Sequence, residues 1–246
     1  MRADLYLFEK GFAASRQKAK TLIEQGIVYA DSRLITKPSC NLENETIEIR
    51  GEVIPYVSRG GLKLKGAIDG FSIRVNGFVC VDVGASTGGF TDCLLQHGAK
   101  KVYAVDCGRK QLDKSLIADK RVISIEGFNA RELSPEVIPE KADICVTDVS
   151  FISQTLIHSA ITRVLKDGAL FVTLIKPQFE AGRQNIGKNG IVKSEKARRD
   201  SVKRVIDSCV AHGFELKGII ESPIKGGDGN TEFIGYFKYK PNMTEE

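Results

Sequence analysis

The chain has 246 residues, of which 42% are apolar and 27% charged, with a formal charge of +5 at pH 7. That size allows one substantial core plus a small module, and the composition excludes a disordered tail. No apolar run approaches the roughly 18 residues that span a bilayer, and no signal segment opens the chain, so a cytoplasmic location without a membrane partner is expected.

Residues 1–51 read as a small α+β module. Ser15 is a plausible N-cap for the periodic stretch 16–25, Gly26 suits the left-handed position after a helix end, and Asp31-Ser32 marks a turn. A strand pair is expected near 27–30 and 46–50. Residues 52–61, with Pro55 and the Gly60-Gly61 pair, read as a linker.

Residues 62–246 change pattern. Apolar runs at 79–83, 102–106, 122–125, 144–148 and 170–176 alternate with helical stretches near 88–97, 109–118 and 153–166. Short apolar strands separated by helices predict a parallel sheet covered on both faces. A long helix near 194–212 precedes strands at 214–221 and 232–239, joined by a Gly-rich turn that demands antiparallel pairing. The fold expected is a Rossmann-like α/β sheet with one antiparallel strand. Cys40, Cys80, Cys93, Cys107, Cys145 and Cys209 form no Cys-x-x-Cys pair, which argues against a zinc ribbon or a disulfide framework. No metal is expected.

The first strand runs into Asp82-Val83-Gly84-Ala85-Ser86-Thr87-Gly88-Gly89-Phe90 and then a helix. Glycines at such a turn let the backbone approach a ligand outside the carboxyl ends of the strands. A dinucleotide loop would want glycine where Ser86 stands. A nucleophile elbow matches Gly84 to Gly88 literally but needs a histidine on a late loop, and His97, His158 and His212 all fall in or at the ends of helices. S-adenosylmethionine is the third reading. Gly84, Ser86, Thr87, Gly88, Gly89 and Phe90 would then surround the methionine part, with Asp82 near its charged groups. Asp106 would take the ribose hydroxyls, and Asn129 would meet the adenine. A ligand-free turn is the fourth reading.

Strand four ends in Asp148-Val149-Ser150-Phe151, without the Pro-Pro-aromatic sequence of amino-group methyltransferases or the cysteine of carbon-five pyrimidine enzymes. Strand five ends in Lys176-Pro177-Gln178-Phe179-Glu180, placing a lysine at the mouth of the sheet. By itself that lysine is as readily a solvated strand end. Phe151 and Phe179 fit either the core or a nucleotide-stacking surface. Between Arg183 and Arg204 eight Lys or Arg residues face two acids, a run that suits a solvated helix face or a polyanion partner.

Residues Ser58-Arg59-Gly60-Gly61-Leu62-Lys63-Leu64-Lys65, with Asp148, Lys176 to Glu180 and Gly229-Asn230-Thr231-Glu232-Phe233, resemble the TlyA family, which shares the FtsJ-type ribose 2'-O-methyltransferase domain. Arg2-Ala3-Asp4, Ser15-Arg16-Gln17-Lys18-Ala19, Leu22 to Gly26 and Lys37-Pro38 are similar to the alpha-L RNA-binding module. The sequence departs from the family at Gly226-Gly227-Asp228, where a proline would follow the first glycine.

The resemblance implies a catalytic tetrad of Lys63, Asp148, Lys176 and Glu232, with Asp148 also near the S-adenosylmethionine cofactor. It implies ribosomal RNA or a ribosomal subunit as partner, met by Arg2, Arg16, Lys18, Lys20, Arg59, Lys188 and Arg198. The product expected is a 2'-O-methylated cytidine in large-subunit (23S) RNA, with small-subunit (16S) RNA as a further target, made by a monomer. The alternative is an RNA-binding assembly factor on a weak methyltransferase fold, and the four intact charged residues favour the enzyme. Whether Lys176 acts as base or as positioner stays open, because a free lysine titrates near 10.4 and a base must be neutral.

Overall fold

The computed structural model describes residues 1–13, 15–51, 54–227 and 229–241, so Glu52 and Val53 of the expected linker and Asp228 of the Gly-rich turn lie outside the described residues. The chain divides into two units, Met1–Arg59 and Gly60–Glu246.

In the first unit, helices α1 (Ala3–Glu9) and α2 (Arg16–Glu24) precede strands β1 (Val28–Ala30), β2 (Arg33–Leu34) and β3 (Ile47–Ile49), which form a sheet in the order β2-β1-β3. The Ser15 hydroxyl caps α2 by accepting the Lys18 N–H at 3.1 Å. Gly26 closes that helix in the left-handed region at φ 72°. Asp31 and Ser32 both take positive φ, 46° and 65°, the conformation that lets a two-residue hairpin loop follow the strand twist. This hairpin adds β2 to the expected pair. Both residues of β2 are exposed, so it carries no apolar alternation to betray it. Leu7, Leu22, Ile23, Val28, Ile35 and Leu42 fill the small core.

In the second unit, α3 (Gly60–Gly70) leads into β4 (Val79–Val83), α4 (Gly89–Gln96), β5 (Lys101–Asp106), α5 (Lys114–Ile117), β6 (Val122–Glu126) and β7 (Ala142–Thr147). Then come α6 (His158–Thr162), β8 (Leu165–Ile175), α7 (Pro177–Glu180), α8 (Glu195–Ala211), β9 (Phe214–Glu221) and β10 (Phe233–Tyr239). The seven strands lie in the order β6-β5-β4-β7-β8-β10-β9. All pairings are parallel except those of β10, which runs antiparallel to both β8 and β9. This is the expected mixed sheet with one reversed strand.

Three expectations need correction. The Gly60-Gly61 pair opens α3 instead of ending a linker. Gly66 faces Pro223, whose Cγ would lie 2.8 Å from any added Cβ, so that glycine serves close packing despite its low helix propensity. The helix expected over 109–118 shrinks to α5. Its first residues instead wrap around the Glu126 carboxylate, which accepts the N–H groups of Lys110, Gln111 and Leu112 at 2.6, 2.8 and 3.1 Å. The stretch 153–166 breaks into a 3₁₀ turn, Gln154–Leu156, followed by α6, and β8 begins earlier than expected, at Leu165.

The main core lies against the sheet between β7, β8, β10 and α8. Phe171 on β8 is fully buried, its ring 4.8 Å from that of Phe214 and 6.0 Å from that of Phe237. Phe171→Ala should lower the unfolding free energy by about 3–5 kcal/mol, read from a urea transition. A loss below about 1 kcal/mol would mean that this cluster repacks around the gap.

Candidate active site

The ends of β4 and β7 approach each other closely. A Cβ at Gly84 would stand 2.5 Å from the Asp148 carbonyl oxygen, and Gly84 sits at φ 85°, so only glycine fits there. From this turn Ser86, itself at φ 49°, donates its N–H to Asp106 at 2.8 Å. The other Asp106 oxygen accepts the Gly108 N–H at 2.6 Å. A cleft of about 530 Å³ opens here, walled by Gly84, Ser86, Asp106, Asn129, Asp148 and Phe151. Its volume falls in the range of small-molecule and cofactor sites. Asn129 also accepts the Arg131 N–H at 3.2 Å, so it shapes the turn as well as the wall.

Other residues expected around the cofactor stand behind this wall. Gly88 caps α4 at φ 96° and packs so tightly that an added Cβ would strike Leu116. Gly89 and Phe90 are buried in the first turn of α4, and Thr87 is exposed, its carbonyl taking the Asp113 N–H at 3.2 Å. Asp82 is fully buried. One of its oxygens accepts the Thr91 hydroxyl at 2.6 Å, and the other has no hydrogen-bond partner. Burial raises its pKa to about 7, against the Thr91 hydrogen bond and with help from the nearby Asp148 and Asp106 charges.

The four charged residues of the expected tetrad meet as two ion pairs. Lys63, from α3, contacts Glu232 at 2.6 Å. Lys176, at the end of β8, contacts Asp148 at 2.6 Å and donates to the Ser150 hydroxyl at 2.7 Å. Phe233 pairs with Ile175 in the antiparallel ladder, so Glu232 comes next in register beside Lys176. Gln178 donates to Glu232 at 3.3 Å. Asp148 thus belongs to the cleft wall and to the lysine pair together. Phe151, 89% exposed and at φ 66°, holds its ring 5.3 Å from that of Phe179, whose face lies 5.9 Å from the Lys176 ammonium.

Ser150, Gln178 and Asn230 were not singled out by sequence reasoning. Asn230 is buried, accepting the Val192 N–H and donating to the Gly190 carbonyl, both at 3.0 Å, which fastens the basic loop to the segment that leads through Glu232 into β10. A polar residue inside a motif was the available signal.

The residues expected on RNA divide in the same way. Arg2 and Arg16 both converge on the buried Asp4 at 3.0 Å, and the Arg2 hydrogen bond, against burial, holds that carboxyl down at about 2. Both guanidinium groups remain half-exposed. Lys18 and Lys20 are partly exposed on α2, and Arg59 and Lys188 are exposed. Arg198 is partly exposed as well, and one of its guanidinium nitrogens donates to the carbonyls of Val192 and Lys193 at 3.3 Å.

The nucleophile-elbow reading fails. His97 bonds the Cys93 carbonyl at 2.7 Å and His212 the Ser208 carbonyl at 2.7 Å. His158 is buried against the Ser208 hydroxyl at 2.8 Å, its pKa lowered to about 4 by burial. None of the three engages Ser86.

A Rossmann-like sheet with its last strand reversed and a Gly-rich cleft at the strand ends define the fold of the S-adenosylmethionine-dependent methyltransferase class. The FtsJ-like methyltransferase family matches residues 56–239 and the S4 domain residues 1–44. YqxC of Bacillus subtilis, named as a candidate rRNA methyltransferase, is 45% identical over 95% of this chain and 84% of its own. TlyA of Mycobacterium tuberculosis, named a 16S/23S rRNA (cytidine-2'-O)-methyltransferase, is 40% identical over 95% of this chain and 88% of its own. A solved structure from Streptococcus thermophilus, described as a candidate haemolysin, superposes with a TM-score of 0.78 at 40% identity, covering 98% of this chain and 88% of that one. The chain belongs to the TlyA family of FtsJ-like methyltransferases, with an S4 domain at its N-terminus. Its cofactor is S-adenosylmethionine, and the tight Gly84 turn, the Asp106 carboxylate and the volume of the cleft fit that group.

Asp82 gives this site a pH signature. Its folded pKa of about 7 lies above the ordinary carboxyl value of about 4, so the folded chain keeps a proton that the unfolded chain has lost. Through this group, stability falls as pH rises across that interval. The stability of Asp82→Asn relative to the parent should therefore climb by up to about 1.4 kcal/mol per pH unit between about pH 4 and 7, then level off. A difference independent of pH in denaturation of the cofactor-free protein would show Asp82 ionised throughout.

Proposed function

We propose that this protein transfers the methyl group of S-adenosylmethionine to the ribose 2'-hydroxyl of a cytidine in ribosomal RNA. Large-subunit RNA is the principal substrate in this reading, with small-subunit RNA as a further target. The observation that carries it is the double membership of Asp148, which walls the cofactor cleft and holds the Lys176 ammonium at 2.6 Å. A cation fixed at that place stands where the acceptor oxygen must arrive.

The bound cofactor supplies a methyl group already activated on a sulfonium. The acceptor hydroxyl would pass its proton to water as it takes up that methyl group. An ammonium has three donors; Lys176 gives one to Ser150 at 2.7 Å and stands 2.6 Å from Asp148 as an ion pair. A further donor can hold the ribose oxygen in line with the methyl group, which is the alignment that lowers such barriers. Lys176 is therefore a positioner in this reading, and the proton leaves late. Lys63 and Glu232 brace the neighbouring strand end, through Gln178, and keep the α7 start in register. Phe151 and Phe179 offer ring faces for an unpaired base. Gly84, Ser86, Asp106 and Asn129 hold the cofactor, with Asp82, Thr87, Gly88, Gly89 and Phe90 shaping the loop behind them.

Arg2, Arg16, Lys18, Lys20, Arg59, Lys188 and Arg198 contact RNA phosphates in this reading. The tetrad is complete within one chain, which suits a monomer. Among the described residues no helix is long and apolar enough to cross a membrane, and a ribosomal substrate suits a cytoplasmic enzyme.

Mass spectrometry of ribosomal nucleosides from cells with and without the protein tests the product, and no change in 2'-O-methylcytidine would overturn the reading. Lys176→Ala should bind S-adenosylmethionine as the parent does while losing methyl transfer by about 100-fold or more. Near-parental turnover on ribosomal RNA would refute the assigned role. Replacing Arg16, Lys18 and Lys20 together with alanine should weaken RNA binding and reduce the slope of log affinity against log salt by about 2–3. An unchanged slope would remove these residues from the RNA contact.

A further inference from the structure

Glu180 is a buried carboxylate, 3% exposed, that neither the cofactor cleft nor the tetrad uses. It ends α7, and its two oxygens reach back to the loop that follows β7, one accepting the Ser153 hydroxyl at 2.6 Å and the other the Gln154 N–H at 2.9 Å. Ser153 caps the 3₁₀ turn that begins at Gln154, so the carboxylate fixes the exit of residues 148–153. Gln154 is itself 2% exposed. Its side chain donates to the Leu174 carbonyl at 3.3 Å and accepts the Thr173 hydroxyl, which in turn accepts that of Thr147 at 2.6 Å.

These contacts close a circuit. Residues 148–154 and 176–180 are cross-linked at one end by Lys176 with Asp148 and Ser150, in the middle by the rings of Phe151 and Phe179, and at the far end by Glu180. Phe151 stands within the circuit at φ 66° with its ring exposed. A bulky residue holds that conformation only where its surroundings over-determine it. Removing the far link would leave the end of the loop held only through the Gln154 side chain, so that Ser153 loosens and Phe151 can relax toward ordinary backbone angles. Burying a carboxylate is costly without hydrogen bonds, and here both oxygens spend theirs on this one loop.

We propose that Glu180 is a positioning residue for methyl transfer, whose carboxylate clamps the exit of the 148–153 loop so that Asp148, Ser150 and Phe151 stand correctly around Lys176. The activity arm of this inference rests on the methyltransferase reading, whereas the loop-order arm does not.

Four variants test it: Glu180→Ala, Glu180→Gln, Ser153→Ala and the Glu180→Ala/Ser153→Ala double. Glu180→Ala should lower kcat on ribosomal RNA by about 10-fold to 100-fold, the scale of a small misplacement at a reacting centre. The RNA KM and the S-adenosylmethionine Kd should move by less than about threefold. Backbone amides of residues 149–154 should exchange faster in the same variant. Glu180→Gln should restore kcat to within about threefold, since its carbonyl can still accept the Gln154 N–H and its amide can donate to Ser153. Ser153→Ala should fall between the parent and Glu180→Ala, and the double variant should be no slower than Glu180→Ala.

Parental kcat and exchange in folded Glu180→Ala would overturn the proposal, as would a Glu180→Gln as slow as the alanine variant. If Glu180→Ala fails to fold, Ser153→Ala decides, and parental kcat with parental exchange there overturns the clamp. If the parent itself leaves ribosomal RNA unmethylated, the functional reading fails, and the exchange measurement still decides whether Glu180 orders the loop.

Discussion

The ion pair of Lys176 with Asp148, 2.6 Å long at the ends of β8 and β7, joins the cofactor cleft to the place where a substrate oxygen would sit. Both side chains are largely withdrawn from water, 11% and 20% exposed. Taking two charges out of water commonly costs as much as their attraction returns. Such a pair is a poor device for stability, and the Lys63–Glu232 pair, 11% and 2% exposed, is poorer still. Two such pairs beside the cleft concentrate that cost at one end of the sheet, and charges kept from water in a cleft mark candidate functional groups.

That orientation depends on how closely the backbone packs. Gly84 lets β4 and β7 converge until the Asp148 carbonyl occupies the space of a side chain, so the cleft and the aspartate cannot separate without disturbing the central sheet. On the opposite side, Gly226 lies where a Cβ would come within 2.5 Å of a Glu232 oxygen. Backbone without side chains therefore borders a carboxylate of each pair. The rigid elements behind them, β4 with every residue buried and β8 buried along its last five positions, transmit no slack to the charged ends.

The sheet was legible because parallel strands buried on both faces write themselves as continuous apolar runs, as Val79 to Val83 does. Ser15, Gly26 and the reversed last strand were legible through local capping and turn chemistry. Helix α3 was not, since Gly60, Gly61, Gly66 and Gly70 depress its propensity, and the contacts of Gly66 with Pro223 and of Gly70 with Ile220 come from residues remote in sequence. The lost helix near 109 was equally hidden, because its backbone donors are captured by Glu126, which is remote in sequence. The same distance hid the site. Lys63 and Glu232 lie 169 positions apart, and no periodicity pairs them; family likeness named the tetrad, whereas Ser150, Gln178 and Glu180 had only their polarity to mark them.

The N-terminal unit uses carboxylates in the same manner as the catalytic one. Asp4, buried and held ionised by its arginines, takes two donors from Arg2 and one from Arg16. A guanidinium carries five donors in a fixed fork, so each arginine keeps donors to offer outward while half of its side chain remains in solvent. The rotamer freedom that a surface arginine would lose on meeting a phosphate is largely lost already in the folded protein, which lowers the entropic penalty of contact. Lys18 and Lys20 have no such anchor in Asp4 and add charge at lower directional precision. In both units, then, a carboxylate holds a neighbouring cation in one orientation, the arrangement that the proposed capture of RNA and alignment of its hydroxyl would each use.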